Sequence, residues 1–124
     1  GDRYFSTAIY FLLPQGSKSS LHRIKSDEVW HFYLGGPLTL AIIHKNGKVE
    51  NITLGQNFKA GEKMQYVVPA GSWFGAYPNL KTEFSFVGCT VAPGFDFNDF
   101  EMGNKETLLK KYPNAKNLIE ELSN

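Results

Sequence analysis

The sequence has a single cysteine, Cys89, among its 124 residues. One thiol cannot form a disulfide within the chain, which favours a reducing compartment, and we expect the protein in the cytoplasm. An apolar stretch of about 18 residues is absent, and no leader with a cleavage site is visible, so neither a membrane helix nor a signal peptide is predicted. The net charge is only +1, and no lysine-rich or arginine-rich run indicates nucleic acid or a membrane surface as a partner.

What the sequence does have is many aromatic residues, 15% of the chain, within a hydrophobic content of 42%. This composition predicts a folded chain, and the length predicts one domain over residues 1–124. Eight short runs rich in β-branched and aromatic residues alternate with glycine and proline turns, which favours a sandwich or barrel. Asn46-Gly47 predicts a type I′ hairpin. After Pro93 the pattern predicts two short helices, the first capped by Asn104 and the second starting near Pro113.

The stretch "GSKSSLHRIKSDEVWHFYLGG" contains the main chemical candidates. Because neighbours on a strand face opposite sides, His22 and Ile24 are expected on one face of the first run. In the second run Glu28 shares a face with alternate aromatic residues, and His31 lies on the opposite face. Both faces of this second strand are apolar or aromatic. One face is therefore expected to line a barrel, and the other to meet a second sheet or another subunit.

This spacing resembles the first motif of the cupin superfamily. Five residues separate Gly16 from His22, and Glu28 and Gly35 follow at the expected intervals, but Ile24 stands where the motif has its second histidine. The stretch "GEKMQYVVPAGSWFGAYP" resembles a degenerate second motif, with Phe74 at the position of the family's histidine. The resemblance therefore implies that two of the four usual metal ligands, His22 and Glu28, remain.

A narrower resemblance is to the Cupin_5 family, a domain of unknown function once numbered 985. The stretches "STAIYFLL", "HRIKSDEVWHFYLGGPL", "VPAGSW" and "VGCTVAPGFDFNDFEMG" carry it in the right order. It implies an all-β fold, the cupin double-stranded β-helix (jelly roll) barrel with short C-terminal helices, and a homodimer. The resemblance also implies an additional N-terminal segment with a Glu-Gly-Gly stretch, which we expect to be absent here because the sequence begins at Gly1-Asp2-Arg3. If that segment helps to form the pocket, residues that line the pocket are missing from our prediction.

His22 and Glu28 are the predicted catalytic residues. A carboxylate beside an imidazole raises its basicity and fixes its tautomer, as a general base near neutral pH requires. The alternative is a buried hydrogen-bonded pair that only orders the barrel. We expect no metal and no other cofactor, because Ile24 and Phe74 replace ligands with hydrocarbon. If a divalent metal does bind, His22 and Glu28 are its predicted ligands.

The remaining candidates are predicted to contact a small-molecule ligand. Aromatic residues are mostly core but also line pockets, and a few polar groups orient a ligand. His31 would face the pocket only if a bulge after "KSD" reversed the alternation. Cys89 is interpreted as a buried small hydrophobic residue, and "PGFDFNDFEMG" as a strap that carries three phenylalanines into the core beside a solvated acidic face. The ligand-binding candidates are Ser20, Trp30, Phe32, His31, Gln65, Tyr66, Ser72, Trp73 and Phe74.

Three functions remain open at this point. The first is a metal-independent isomerase or epimerase of a sugar or sugar phosphate, with His22 as base and Glu28 orienting it or acting as acid. The second is a metal-dependent cupin oxygenase or isomerase. The third is a protein that binds a small metabolite without catalysis. The first of these depends partly on analogy between folds, which is weak evidence for a reaction.

Overall fold

The computed structural model describes residues 3–124, which form two antiparallel β-sheets facing each other. The four-stranded sheet has the order β1-β8-β3-β6 and the five-stranded sheet the order β5-β4-β7-β2-β9. Two short helices follow the last strand, so the predicted all-β jelly roll with short C-terminal helices is confirmed. The elements are β1 (Thr7–Pro14), β2 (Ser19–Arg23), β3 (Asp27–Gly35), β4 (Leu38–Ile43), β5 (Val49–Leu54), β6 (Gln65–Val68), β7 (Trp73–Pro78), β8 (Phe84–Ala92), β9 (Glu101–Met102), α1 (Lys105–Lys111) and α2 (Lys116–Leu122).

The main core lies between the sheets, where inward-facing residues of alternating strands meet. Trp30 and Phe32 from β3 face Leu40 and Phe74 from the five-stranded sheet, and each is at most 4% exposed. Burying such side chains contributes roughly 1.5–3 kcal/mol each. This core fills one end of the barrel and leaves the other end open.

A second core covers the outer face of the five-stranded sheet. Ala41, Ile43 and Trp73 point away from the barrel. They pack against side chains of both helices, one of which is Ile119 of α2. The predicted start of α1 is confirmed. The Asn104 side chain accepts a hydrogen bond from the Thr107 backbone N–H at 3.0 Å, as an N-cap residue does. No helix in the described range of residues 3–124 is long and apolar enough to cross a membrane.

The β4–β5 hairpin is confirmed, but its predicted turn type is wrong. A type I′ turn needs a positive φ at both central residues, whereas in this turn only Gly47 has one, at 88°. The His44 N–H donates to Lys48 O and the Gly47 N–H to His44 O. The hairpin therefore closes through a longer loop, with glycine in the left-handed position.

The outer face of the four-stranded sheet is aromatic and open to solvent. Tyr10 stacks on Phe86 with ring centroids 5.4 Å apart, and Tyr33 packs against both rings. Tyr10 is 77% exposed and Tyr33 46%. The second apolar face of β3 therefore does not meet a second sheet. We call Tyr10, Tyr33 and Phe86 the outer aromatic face.

Candidate functional site

The open end of the barrel holds a cavity of about 440 Å³ between the two sheets. This lies within the range of roughly 300–1,000 Å³ typical of small-molecule sites. Strand β1 forms one wall, β2 and β3 supply the polar side chains, and the segment after β8 covers the entrance. The lining residues are Thr7, Ile9, Phe11, Ser19, His22, Ile24, Glu28, Trp30, Cys89, Val91, Phe95, Phe97 and Phe100.

His22 lines this cavity from β2, where it pairs with Phe74 on β7. Its ring lies between Phe74 and Phe100, with ring centroids 4.2 and 5.3 Å away. Nδ1 is 2.8 Å from the Ser20 carbonyl oxygen. Because a carbonyl oxygen only accepts, Nδ1 carries the proton and the lone pair is on Nε2. Burial lowers the pKa of His22, partly offset by that backbone hydrogen bond, so the neutral imidazole is favoured.

Glu28 enters the same cavity from β3 and is 8% exposed. Burial raises its pKa from 4.5 to about 7, and this displacement is partly offset by Cys89 and Trp30, which face the carboxyl group. The register pairs Glu28 with Val91 and Trp30 with Cys89, so Trp30 and Cys89 form the next pair along the strands on the same face as Glu28. The Trp30 Nε1–H faces the carboxyl without reaching hydrogen-bond geometry, and within residues 3–124 it has no other partner. Near neutral pH a large fraction of Glu28 is therefore the protonated acid.

The two predicted catalytic residues share the cavity, but they do not form the predicted pair. No hydrogen bond or ion pair links His22 to Glu28 in the described part of the chain, and Glu28 is not among the causes of the His22 pKa. The expectation that the carboxylate raises the basicity of His22 and fixes its tautomer is wrong. The backbone carbonyl of Ser20 sets the tautomer, and burial lowers the basicity.

Ile24 and Phe74, which stand where metal ligands were expected, both belong to the site. Ile24 lines the cavity and is 4% exposed, and Phe74 supports the His22 ring from behind. Hydrocarbon at both positions adds apolar surface around the polar groups of the cavity. The resulting low local polarity strengthens any hydrogen bond made in the cavity.

A model of the Cupin_5 family, described as Cupin superfamily (DUF985), matches residues 1–103. The chain belongs to the Cupin_5 family. It is 43% identical to protein SO0799 from Shewanella oneidensis, whose solved structure matches with a TM-score of 0.93 over 98% of this chain and 77% of that one. It is 34% identical to a hypothetical protein from Leishmania major, with a TM-score of 0.92 and the same coverage of both chains.

A further relative of this Cupin_5 chain is the uncharacterized yeast protein YML079W from Saccharomyces cerevisiae. The two are 30% identical over 117 residues, which is 92% of this chain and 55% of the yeast protein. The chain thus spans about half the length of that curated relative. More distant solved structures show only the shared fold, among them a dTDP sugar isomerase from Desulfovibrio desulfuricans at 12% identity, with a TM-score of 0.69 over 82% of this chain and 66% of that one.

The residues of this Cupin_5 cavity do not fit the metal site that the cupin superfamily implies. A site that binds iron, manganese or nickel requires at least three imidazole or carboxylate ligands with open positions. Among residues 3–124, no group of three histidine, cysteine or acidic residues could hold an ion. His22 and Glu28 remain the two donors, and burial favours the protonated carboxyl, which is a poor ligand.

The aromatic segment after β8 lies at the cavity entrance, not in the core. Phe95 and Phe100 are partly buried and Phe97 is 80% exposed, yet all three line the cavity. The prediction that this strap carries its phenylalanines into the core is wrong, because the rings pack on one another with centroids 5.0–6.5 Å apart. Asp96 and Asp99 are ion-paired with Arg3 at the surface.

Regular period-two alternation would place Ser20 on the same face as His22, but the structure does not have it there. A register shift between Ser19 and His22 turns Ser19 into the cavity. The Ser20 hydroxyl instead donates to the Asn124 side chain at 2.7 Å. What the site uses from Ser20 is its backbone carbonyl.

Of the other predicted ligand-binding residues, only Trp30 lines the cavity. The regular register of β3 from Asp27 to Phe32 leaves no bulge after "KSD", so His31 lies on the outer face, 2.9 Å from the Thr90 hydroxyl. The other predicted ligand-binding residues do not line the cavity, because they are buried elsewhere or lie away from it. Phe32 and Phe74 are main-core residues, Ser72 is buried, Trp73 belongs to the second core, Gln65 is exposed on β6, and Tyr66 donates to Glu50.

The sequence interpretation missed most of the wall, including Thr7, Ile9 and Phe11. These three residues alternate along β1, so the period of two places them on one face of the strand. The sequence around β1 does not show that this face lies against the cavity that contains His22. Cys89 was interpreted as a buried small residue, which is confirmed, since it is 3% exposed and burial raises its thiol pKa.

Proposed function

We propose that this Cupin_5 protein is a metal-independent isomerase or epimerase that moves a proton beside the carbonyl group of a small molecule. One observation carries the proposal: the same cavity holds a histidine whose pKa is lowered and a carboxylic acid whose pKa is raised to about 7. Titratable groups with pKa values displaced in this way are typical of acid and base partners. Near neutral pH the cavity therefore offers a neutral base and a protonated acid together.

The proton steps use both groups. Nε2 of His22 takes the proton from the carbon next to the carbonyl, and Glu28 gives its proton to the carbonyl oxygen, which produces an enol. The imidazolium then returns a proton either to the opposite face of the same carbon, after the enol has turned over in the cavity, or to the far carbon of a conjugated double bond. The enol O–H returns its proton to Glu28 as the carbonyl re-forms, so the first route gives an epimer and the second an isomer. The Ser20 carbonyl stays bound to Nδ1–H throughout and stabilises the imidazolium when it forms. Both residues end as they began.

This function is tested by solvent exchange, which needs no knowledge of the product. Aldoses, ketoses and other small carbonyl compounds are incubated with the protein in D₂O, and loss of the signal of the hydrogen next to the carbonyl is followed by proton NMR. We expect exchange with at least one compound, and His22→Gln is expected to slow it by about 10²–10⁴, the usual contribution of a general base.

The matched control is His44→Gln. This histidine lies outside the cavity, 2.8 Å from Glu50, so exchange should continue at the wild-type rate. Full-rate exchange by His22→Gln would show that another residue is the base. Failure of every compound that binds in the cavity to exchange would contradict the proposal as a whole.

A second candidate is a protein that binds a metabolite without catalysis. It is favoured by the lowered pKa of His22, since burial that keeps the imidazole neutral also makes it a weaker base. In that case ligands bind in the cavity and no carbon-bound hydrogen exchanges. A metal-dependent oxygenase or isomerase is not proposed, because the donor set does not fit.

A further inference from the structure

The walls of the cavity are almost entirely hydrocarbon. Aromatic rings come from β1, β3 and the strap at the entrance. Aliphatic side chains from β1, from β8 and from the residue that follows β2 fill the gaps between them. Polar side chains other than His22 and Glu28 are few. The hydrocarbon residues are Ile9, Phe11, Ile24, Trp30, Val91, Phe95, Phe97 and Phe100.

No lysine or arginine within residues 3–124 lines the cavity. Arg23, next to His22 on β2, points the other way, because its guanidinium lies 4.4 Å from the Trp73 ring centroid and pairs with Glu101. Phosphate recognition depends on cationic side chains or clustered backbone N–H groups. A buried anion without such a partner costs several kcal/mol. A sugar phosphate is therefore a poor occupant.

The two titratable side chains enter the cavity from different sheets, His22 from β2 of the five-stranded sheet and Glu28 from β3 of the four-stranded sheet. His22 Nε2 accepts a hydrogen bond and the Glu28 carboxyl donates one, which suits a hydroxyl or carbonyl group. The Thr7 hydroxyl already accepts the Phe95 N–H at 2.9 Å, which fixes the strap at the entrance. These two side chains can satisfy one small polar group of a ligand, while most of the remaining surface that the ligand meets is aromatic or aliphatic.

We propose that the cavity binds an uncharged molecule with an apolar, ring-sized body and a single carbonyl or hydroxyl group, and that it rejects phosphorylated and carboxylated molecules. The carbonyl form of this ligand rests on the proposed function, whereas its lack of charge and its apolar body follow from the walls alone. The Phe97 ring is 80% exposed at the entrance, and the apolar part of such a ligand would pack against it.

The test compares probes that share one ring. Acetophenone, benzyl alcohol, benzoate and phenyl phosphate, together with ribose 5-phosphate, are titrated into the protein, and binding is followed by proton NMR of the probe. Acetophenone or benzyl alcohol should bind at least about tenfold more tightly than each anion, a difference of about 1.4 kcal/mol. Tighter binding of either phosphate, or no binding by both uncharged probes at millimolar concentration, would overturn the proposal.

Two lysine variants test whether the absence of a cation from the cavity causes the expected selectivity against phosphate. Ile9 lines the entrance but is 60% exposed, so Ile9→Lys places a cation at the cavity without burying it. This variant should bind phenyl phosphate at least about tenfold more tightly than wild type does. The control is Leu80→Lys, at a 95% exposed residue outside the lining, which should change nothing. An unchanged phosphate affinity in Ile9→Lys would show that charge at the cavity does not decide selectivity.

The two proposals fail separately. If uncharged carbonyl compounds such as acetophenone bind and none of them exchanges its hydrogens next to the carbonyl with D₂O, nor does any other compound that binds, the ligand class stands and the catalytic proposal is contradicted. If exchange occurs only with phosphorylated carbonyl compounds, the catalytic proposal stands and the ligand class is wrong.

Discussion

Glu28→Gln tests the buried acid directly, because glutamine keeps the size of the side chain and removes its titration. In the folded protein the pKa of Glu28 is raised from 4.5 to about 7, so the folded state binds this proton more tightly than the unfolded chain. The stability that Glu28 contributes is complete at a pH below about 4.5 and is lost as the pH rises toward and through about 7. At about 1.4 kcal/mol per pH unit, this amounts to about 3 kcal/mol.

The stability that His22 contributes depends on pH in the opposite direction. Because its pKa is lowered by burial, the unfolded chain binds the proton more tightly, and stability rises with pH up to the unfolded pKa near 6.5. The two effects oppose each other in the wild-type protein. His22 is present in both the wild type and Glu28→Gln and does not contact Glu28, so its effect cancels in their difference.

The assay is urea unfolding followed by tryptophan fluorescence, which both buried tryptophans support. Wild type and Glu28→Gln are compared at intervals from about pH 4 to about pH 8. Wild type should lose about 3 kcal/mol relative to the variant across this range. Glu120→Gln, the same change at an exposed residue of α2, should follow wild type. Parallel curves for wild type and Glu28→Gln would refute the raised pKa and with it the acid role.

Two further predictions concern the cavity thiol and the outer aromatic face. Because burial raises the pKa of the Cys89 thiol, alkylation of the native protein by iodoacetamide at neutral pH should be much slower than in urea, and equal rates would show that the cavity is open to reagent. We also propose that the outer aromatic face is the contact between two copies of the chain. Tyr10→Asp should then shift the sedimentation coefficient from dimer to monomer, whereas Leu80→Asp on an exposed turn should not, and a monomeric wild type would contradict the proposal.

Residues that alternate within one strand were the predictable part of the site. The period of two placed Glu28 and Trp30 on the inner face of β3. It also placed His22 of β2 and Ile24, which directly follows β2, on one face, and all four residues line the cavity. The pattern failed at Ser20 because the shift in pairing between β2 and β7 depends on the partner strand, which the local sequence does not describe.

Contacts between distant parts of the chain were the unpredictable part. Phe100 stacks on His22 and Thr7 binds the Phe95 N–H, although 78 and 88 residues separate these partners. The aromatic content of the strap predicted a segment that packs into the core. A segment that places aromatic rings at a cavity entrance has the same residue composition, so composition does not distinguish the two. Only the packing of the strap against β1 and β2 distinguishes the two.

The loss of two metal ligands and the altered pKa values have one physical cause. A metal holds a carboxylate in its ionised form, because the ligand must be deprotonated to bind. With hydrocarbon at Ile24 and Phe74, the burial of Glu28 is only partly compensated, by Cys89 and Trp30, and its pKa rises to about 7. The same hydrocarbon keeps His22 neutral. A cupin frame that would otherwise hold a charged carboxylate beside a cation therefore holds a neutral base and a neutral acid, which is the state that proton transfer to an uncharged carbonyl compound requires.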